Sequence, residues 1–195
     1  MKLAIYKPNA KNTGSAFSFD LAVGRKDMPV LFVNMVQQYS WNDQYKNGSF
    51  KENAKNPEKS AVIMLTPHEA GEIISSLKSR IPFTAFHKKE DSSVIINFTP
   101  WDKDRRIKGK DGEKVYSSPA FGFTVTKNSS QKFSLSLEAG EAEMLGILMK
   151  EYIIATMVAS GNQYSQSDSP SQGKPSSTKT QENKKDISED DDIPF

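Results

Sequence analysis

The first 159 residues alternate between short apolar segments and polar breaks, a pattern that predicts β-strands joined by turns. The clearest strand is SAFSFDLAV, and one face of its period-two alternation holds Phe17, Phe19, Leu21 and Val23. Further strands are predicted in PVLFVNMV, SAVIML, PFTAFHK, SVIINFTPW, SPAFGFTVT and KFSLSL. Because such a face packs on a core, we expect these residues, and likewise Phe121 and Phe123, to be buried. A sheet that stacks bases on Phe19 or Phe123 is the less favoured alternative.

Two helices are predicted among these strands. In TPHEAGEIISSLKS, Thr66 is placed to cap the helix, Pro67 occupies its first position, and Glu69 completes a capping box. The second helix, EAGEAEMLGILMKEYIIATMV, is long and amphipathic. Its apolar residues are more numerous than one buried face needs: Met144, Leu145, Ile147, Leu148, Ile153, Ile154 and Met157. This surplus predicts a contact surface between copies of the chain, so we expect a homo-oligomer.

The two helical segments are similar to each other. AVIMLTPHEAGEIISSLK aligns with KFSLSLEAGEAEMLGILMK at an offset of 72, which pairs Leu65 with Leu137 and Glu69 with Glu141. About four strands precede each helix, so the pattern predicts an α+β fold, mostly antiparallel, built from a duplicated ββββα unit. Any strand-to-helix junction produces some such matches. An OB-fold barrel, with residues 67–79 as its helix and an added C-terminal helix, is therefore the alternative.

Composition changes after residue 159. The segment GNQYSQSDSPSQGKPSSTKTQENKKD is rich in Ser, Gln, Lys and Pro, and its one aromatic residue is Tyr164. It lacks the apolar surface needed to offset its ordering entropy, so we expect a disordered linker over residues 160–185. Residues 160–195 carry four lysines and seven acids, so their formal net charge is −3, whereas that of residues 1–159 is +5. The expected organisation is a folded domain over residues 1–159, the linker, and an acidic tip over residues 186–195.

Several classes of protein are disfavoured by what the sequence lacks. It has no cysteine, so neither a disulfide framework nor a thiolate metal site is expected. The first residues are too polar for a secretory signal, and no apolar run approaches the length of a membrane span, which predicts a cytoplasmic protein. His68 and His87 have no partner at metal-ligand spacing, and no phosphate-binding or dinucleotide-binding motif is present. We therefore expect no catalytic residues, no metal and no cofactor.

Two polar stretches interleave basic and aromatic side chains. The first, QYSWNDQYKNGSFKENAKNPEK, is predicted to be a mobile loop and offers the candidate binding residues Tyr39, Trp41, Tyr45, Lys46, Phe50 and Lys51. The second, TPWDKDRRIKGKDGEKVY, is also predicted to be a loop and offers Trp101, Lys103, Arg105, Arg106, Lys108, Lys110 and Tyr116. Single-stranded nucleic acids bind such surfaces, because cations attract phosphates while aromatic rings stack on bases. Packing of each ring against a sheet edge is the alternative, and the field of the second stretch is weakened by Asp102, Asp104, Asp111 and Glu113.

The sequence ends in SEDDDIPF. A run of acids followed by Ile-Pro-Phe, on a polar linker, resembles the C-terminal tip of bacterial and bacteriophage single-stranded DNA-binding proteins. The matching residues are Asp190, Asp191, Asp192, Ile193, Pro194 and Phe195. In that family the terminal ring enters an apolar pocket on a replication, recombination or repair protein, and the acids meet a basic rim. The resemblance implies that these residues bind such partners here.

The body is more similar to another family. A duplicated ββββα unit resembles the Whirly-type single-strand-binding fold, in which two sheets meet a helical core and protomers associate through the helices. Whirly proteins of plants carry a Lys-Gly-Lys-led motif on a strand, whereas KGK at residues 108–110 lies here in a predicted loop. The resemblance therefore implies a fold and an oligomer, and no binding residue is transferred from that motif.

Together these features predict a non-enzymatic, sequence-nonspecific single-stranded DNA-binding protein of a bacteriophage or bacterium. It would coat exposed strands during replication, recombination and repair, and recruit partner enzymes through Phe195. One alternative is an interaction or inhibitor module that captures a replication protein by the tip without binding nucleic acid. Another is an RNA-binding protein on the same fold, since no residue is identified that reads a 2′-hydroxyl.

Overall fold

The computed structural model describes residues 1–109 and 112–167, with side chains described as far as Gly161. In chain order the elements are β1 (Lys2–Lys7), β2 (Ser15–Val23), β3 (Pro29–Gln37), β4 (Ser40–Asn42), β5 (Asn47–Ser49), β6 (Ser60–Leu65), α1 (Pro67–Ser79), β7 (Phe83–Lys89), β8 (Ser92–Gly109), β9 (Gly112–Lys127), β10 (Gln131–Glu138) and α2 (Ala139–Ser167). Short 3-10 turns lie at Arg25–Asp27 and Asn53–Lys55.

The strands form two four-stranded antiparallel sheets and one short hairpin. The first sheet has the order β1-β2-β3-β6, the second has the order β10-β9-β8-β7, and β4 pairs with β5. Each sheet leads directly into a helix, which confirms the predicted α+β fold with two ββββα units. The OB-fold alternative is wrong, because the described strands make two open sheets instead of one closed barrel.

The two units begin their helices in a similar way. At the start of α1, the Thr66 hydroxyl accepts a hydrogen bond from the Glu69 backbone N–H (3.2 Å), and a Glu69 carboxylate oxygen accepts one from the Thr66 N–H (2.8 Å). This is the predicted capping box, with Pro67 in the first turn. At the start of α2, the Glu141 carboxylate accepts from the Glu138 N–H at 2.9 Å. The sequence match between the helical segments therefore reflects a shared local structure.

One hydrophobic core joins the two sheets. The ring of Phe123 lies 5.6 Å from that of Phe19 and 6.0 Å from that of Phe98, both in edge-to-face contact. The predicted burial of the phenylalanines is confirmed for Phe17, Phe19, Phe121 and Phe123. Val23, predicted to share that face, is instead 73% exposed. It is the last residue of β2, and the core cluster does not extend to the end of this strand.

Helix α2 packs on this core with one face, through Leu145, Leu148 and Tyr152. The Tyr152 hydroxyl donates a hydrogen bond to the Leu65 carbonyl at 3.0 Å, which ties α2 to the end of β6. The segment Ala139–Gly161 is long and apolar enough to cross a membrane by length and composition, which corrects the expectation that no segment approaches this length. One face of this segment packs on the core, while Met144, Ile147 and Ile154 on another face are exposed.

The helix α2 also continues past residue 159, where the sequence predicts the domain boundary, and reaches Ser167. The remainder of the predicted linker and the acidic tip lie outside the described residues.

Both predicted loops contain strands. Residues 38–59 include the hairpin of β4 and β5, and most of residues 99–116 belong to β8 and β9, whose pairing runs unbroken from Val94 opposite Lys127 to Gly109 opposite Gly112. The predictions failed because charged and Gly-containing segments lack the apolar alternation that marks a strand buried on one face. Strand β1 was also missed, although Leu3 and Ile5 take its buried alternate positions.

Candidate nucleic-acid interface

Strands β8 and β9 continue beyond the second sheet as a two-stranded ribbon. Pairing with β7 ends at Phe98 of β8, and pairing with β10 ends at Ala120 of β9. The two central strands nevertheless stay paired with each other as far as Gly109 and Gly112. The projecting part, named the ribbon, comprises residues 101–109 and 112–120.

Alternation along the ribbon separates its charges. Residues directly opposite each other in an antiparallel ladder point to the same side. The outward face, continuous with the solvent side of the second sheet, therefore holds Trp101, Lys103, Arg105, Ile107, Lys114 and Tyr116. The inward face holds Asp102, Asp104, Arg106, Lys108, Glu113 and Val115. The described acids of this stretch thus lie on the opposite side of the ribbon from its outward cations.

The two aromatic rings of the outward face are accessible. Trp101 is 41% exposed and Tyr116 is 52% exposed. Tyr116 lies directly opposite Arg105, and Trp101 is two residues before Lys103 on the same strand. The outward face therefore offers rings and cations within reach of the same extended ligand.

The base of the ribbon is anchored on its inward side. The Arg80 guanidinium donates hydrogen bonds to the Asp102 carboxylate and to the Trp101 carbonyl, both at 3.0 Å. It also lies 5.8 Å from the centre of the Phe121 ring. Farther out, Arg106 pairs with Glu113 at 3.7 Å. The inward face thus fixes the ribbon to the end of α1, which leaves the outward face as the solvent side.

A carboxylate meets the outward cations at the base of the ribbon. One Glu138 oxygen lies 2.5 Å from the Lys103 ammonium and the other lies 2.5 Å from the Arg105 guanidinium. The hydrogen bond and charge of Lys103 lower the pKa of Glu138 below its ordinary value, and Arg105 and Lys7 add to this effect. Lys7 itself pairs with Glu141 at 2.6 Å. The start of α2 therefore lies between the ribbon and the end of β1.

The first basic-aromatic stretch folds against the end of the first sheet. Gln38 is buried, and its side-chain amide accepts from the Asn9 N–H (2.8 Å) and donates to the carbonyls of Asn9 and Ser40 (3.0 Å each). Gly48 has to be a glycine here, because a Cβ would lie 2.5 Å from the Pro8 side chain and 2.9 Å from the Gln38 amide nitrogen. Gln38 therefore fastens the hairpin of β4 and β5 to the turn after β1.

This hairpin presents two tyrosines to solvent. Tyr39 is 55% exposed and Tyr45 is 69% exposed. Trp41 is half-buried, and its indole N–H donates to the Asp43 carboxylate at 3.2 Å. Lys46 lies 3.4 Å from the same carboxylate oxygen. The tyrosines are therefore the accessible aromatic rings of this element and the candidate stacking groups.

Phe50 and Tyr6 flank a shallow apolar cavity on the outer face of the first sheet. Their ring centres lie 6.0 Å apart. The cavity measures about 220 Å³, its lining includes Ala16 and Val36, and Lys51 lies at the same site. An apolar slot beside a lysine suits a flat aromatic group that carries a negative charge nearby, such as a nucleotide.

The structure places the predicted binding residues that it describes at three sites: the ribbon, the hairpin with its flanks, and the cavity. Trp101, Lys103, Arg105 and Tyr116 share the outward face of the ribbon, whereas Arg106 and Lys108 lie on its inward face. Tyr39, Trp41, Tyr45 and Lys46 belong to the hairpin and its flanks, while Phe50 and Lys51 line the cavity. Lys110 and the tip residues Asp190, Asp191, Asp192, Ile193, Pro194 and Phe195 lie outside the described residues. Within the described ranges, no group of three or more His, Cys, Asp or Glu side chains is placed to hold a metal ion.

Sequence reasoning missed two members of these surfaces, Tyr6 and Lys114, and it also missed Phe32, an exposed ring on the same outer face of the first sheet as the cavity. Phe32 lies on the outer face of the first sheet, opposite Asp20 on β2 and Met64 on β6. A signal for it exists, because Leu31, Val33 and Met35 take the buried alternate positions of the same strand. Tyr6 has a similar signal, because Leu3 and Ile5 take the buried alternate positions of β1.

The arrangement of two antiparallel sheets, each continuing into a helix, is the Whirly fold. Two solved structures from Arabidopsis thaliana are similar to it, WHY1 and WHY3, each with a TM-score of 0.51. WHY1 is 12% identical, over 86% of this chain and 92% of its own. WHY3 is 13% identical, over 86% of this chain and 95% of its own. Identities this low show the fold alone, and neither a protein-family model nor a curated protein sequence matches the chain.

Proposed function

We propose that this protein binds single-stranded DNA without sequence specificity and has no enzymatic activity. The observation that best supports the proposal is the outward face of the ribbon, where exposed Trp101 and Tyr116 accompany Lys103, Arg105 and Lys114. Every base has a π-face, so rings bind any sequence, and each stacked base contributes about 1–3 kcal/mol. The cations contribute through phosphate contacts and counterion release.

The exposed rings favour a single strand over a duplex. In a duplex the base faces are stacked on one another, so only the phosphates would be available to this surface. The Tyr6 and Phe50 cavity supports the same ligand, because an apolar slot of about 220 Å³ can receive an unstacked base. The Whirly fold supports the proposal as well, since the resemblance implies single-strand binding.

The acidic tip is the proposed partner-binding segment. Phe195 and Ile193 supply apolar surface, Pro194 stiffens the anchor, and the preceding acids attract a basic rim. By resemblance to the tips of bacterial and bacteriophage proteins, the partners are enzymes of DNA replication, recombination and repair. The protein would then act in the cytoplasm of a bacterium, or of a host cell if a bacteriophage encodes it.

The exposed face of α2 is the proposed oligomer interface. Apolar side chains that the core does not bury line this face: Met144, Ile147, Ile154, Met157 and Val158. An apolar surface of this kind is stabilised when a second copy covers it. Several ribbons in one assembly would also contact one strand together and so raise its affinity.

Titration of the full-length protein with oligo-dT, followed by the fluorescence of Trp101 and Trp41 across a salt series, tests the proposal. Quenching is expected, with log affinity decreasing against log salt by about 0.7 per phosphate contacted. Matched oligo-U separates DNA from RNA preference, and a duplex of equal length is the control for stacking. A protein that binds none of these nucleic acids but still captures a partner through the tip would overturn the proposal in favour of an interaction module.

A further inference from the structure

The contact between Glu138 and the ribbon shows where two cations converge on one anion. Lys103 and Arg105 are two residues apart on the outward face, and each reaches a different oxygen of the same carboxylate at 2.5 Å. A phosphate group also offers several oxygens to cations that converge in this way. The site that Glu138 occupies is thus built for one anionic group of this kind.

Glu138 is held in this position by its own helix junction. Its backbone N–H donates to Glu141 at 2.9 Å, and Glu141 pairs with Lys7 at 2.6 Å. Glu138 is also the last residue of β10, opposite Ala120 at the base of the ribbon. Because these contacts are local, they keep the Glu138 carboxylate beside Lys103 and Arg105.

The ion pairs themselves are open to exchange. The side chain of Glu138 is 36% exposed, and those of Lys103 and Arg105 are 40% and 55% exposed. Ion pairs this accessible contribute little to stability, since water and salt compete with them. A phosphate arriving on the outward face can therefore take the place of the carboxylate at low cost.

We propose that Glu138 is an internal competitor for the phosphates of a bound strand, and that it sets the affinity and salt dependence of the outward face by occupying Lys103 and Arg105. The inference rests on the proposed function. While Glu138 holds both cations, they add little to phosphate binding. When a strand binds tightly enough to displace the carboxylate, both cations contribute.

The test compares full-length Glu138→Gln with wild type in oligo-dT titrations from about 50 to about 500 mM salt, the range over which phosphate contacts weaken most clearly. The variant is expected to bind roughly threefold to tenfold more tightly at about 100 mM salt, because two cations are released. Its log affinity should depend more steeply on log salt, by about 0.7 for each additional phosphate that the released cations bind. The matched control is Glu113→Gln, which removes the same charge from the inward face, where Glu113 pairs with Arg106.

A second comparison tests whether the effect of Glu138→Gln depends on Lys103 and Arg105. In a chain carrying both Lys103→Ala and Arg105→Ala, the further change Glu138→Gln should raise the affinity no more than Glu113→Gln does. The inference is overturned if Glu138→Gln binds no more tightly than Glu113→Gln, or if it binds more weakly than wild type because Glu138 only positions the cations. Failure of the wild type itself to bind oligo-dT would instead overturn the proposed function.

Discussion

Glu141 occupies the place in the second half of the protein that Glu69 occupies in the first, and the two carboxylates make the same helix-capping contact. Glu69 accepts from the Thr66 N–H at 2.8 Å, and Glu141 accepts from the Glu138 N–H at 2.9 Å. Glu69 is also buried, accepts from the Thr66 hydroxyl and contacts the His87 ring, whereas Glu141 pairs with the partly exposed Lys7. We therefore expect Glu69 to contribute more to the stability of the fold than Glu141 does.

Replacing Glu69 should destabilise the fold more than replacing Glu141. Glu69→Ala removes a capping carboxylate that contacts both Thr66 and His87, which costs about 1–2 kcal/mol, while Glu141→Ala should cost about 0.5–1 kcal/mol. Unfolding in guanidinium chloride, followed by circular dichroism, measures both. Glu72→Ala, on an exposed position of α1, serves as the control and should change little. Equal losses at the two capping residues would contradict this account.

Stacking on the ribbon should depend on the outward rings. Tyr116→Ala is expected to weaken oligo-dT binding by about 1–3 kcal/mol, with a nearly unchanged salt slope, because the variant loses a stacking ring and keeps every cation. Val115→Ala is the matched control, since Val115 is similarly exposed, at 58%, but lies on the inward face. Equal effects of the two changes, measured by fluorescence titration, would rule out face-specific binding.

The acidic tip should affect DNA binding and partner binding through different residues. Removing residues 186–195 is expected to tighten DNA binding, because the acids of this segment compete with phosphates for basic surfaces, and the effect should shrink as salt rises. Phe195→Ala retains every acid, so it should leave DNA affinity unchanged while abolishing partner capture. Unchanged DNA affinity of the shortened chain across the salt series would count against this competition.

The exposed face of α2 should control assembly. Ile154→Glu places a charge in the proposed interface and is expected to shift the protein to a smaller species in sedimentation velocity, because burying an unpaired carboxylate is costly. The matched control is Val62→Glu, which places the same charge on the outer face of the first sheet, where Val62 is 60% exposed, and it should leave the assembly intact. A wild-type protein that sediments as a monomer at high concentration would refute the interface.

Tyr152 should limit stability at alkaline pH. Burial raises the pKa of Tyr152, with a further contribution from the negative charge of Glu69. Because the folded state favours the protonated phenol, this contribution is complete below the unfolded pKa of about 10 and is lost as pH rises through the folded value. Tyr152→Phe should lower stability by about 0.5–1.5 kcal/mol near neutral pH and flatten the alkaline loss, as thermal unfolding between about pH 8 and 11 would show. An equally steep loss of stability in the variant at alkaline pH would show that other groups cause this loss.

The core and the helix starts were predictable from sequence, because each leaves a local signature. The alternation of Phe17 and Phe19 and the capping box of Thr66 and Glu69 both appear within a few residues of the chain. The ribbon was not predictable in this way, since a strand exposed on both faces has no apolar alternation to reveal it. Its charges do alternate at Lys103 and Arg105, but their separation from Asp102 and Asp104 has meaning only once the segment is known to be a strand.

Because the two ribbon faces are separate, substitutions on the outward face need not disturb the contacts that anchor the ribbon. Arg80 and Asp102 hold the ribbon from one side, while the proposed ligand-binding residues project from the other. A new side chain at an outward position can therefore retune the preferred ligand without loosening the attachment. Selection can then act on ligand preference at the outward positions of this chain, while the inward contacts keep the ribbon in place.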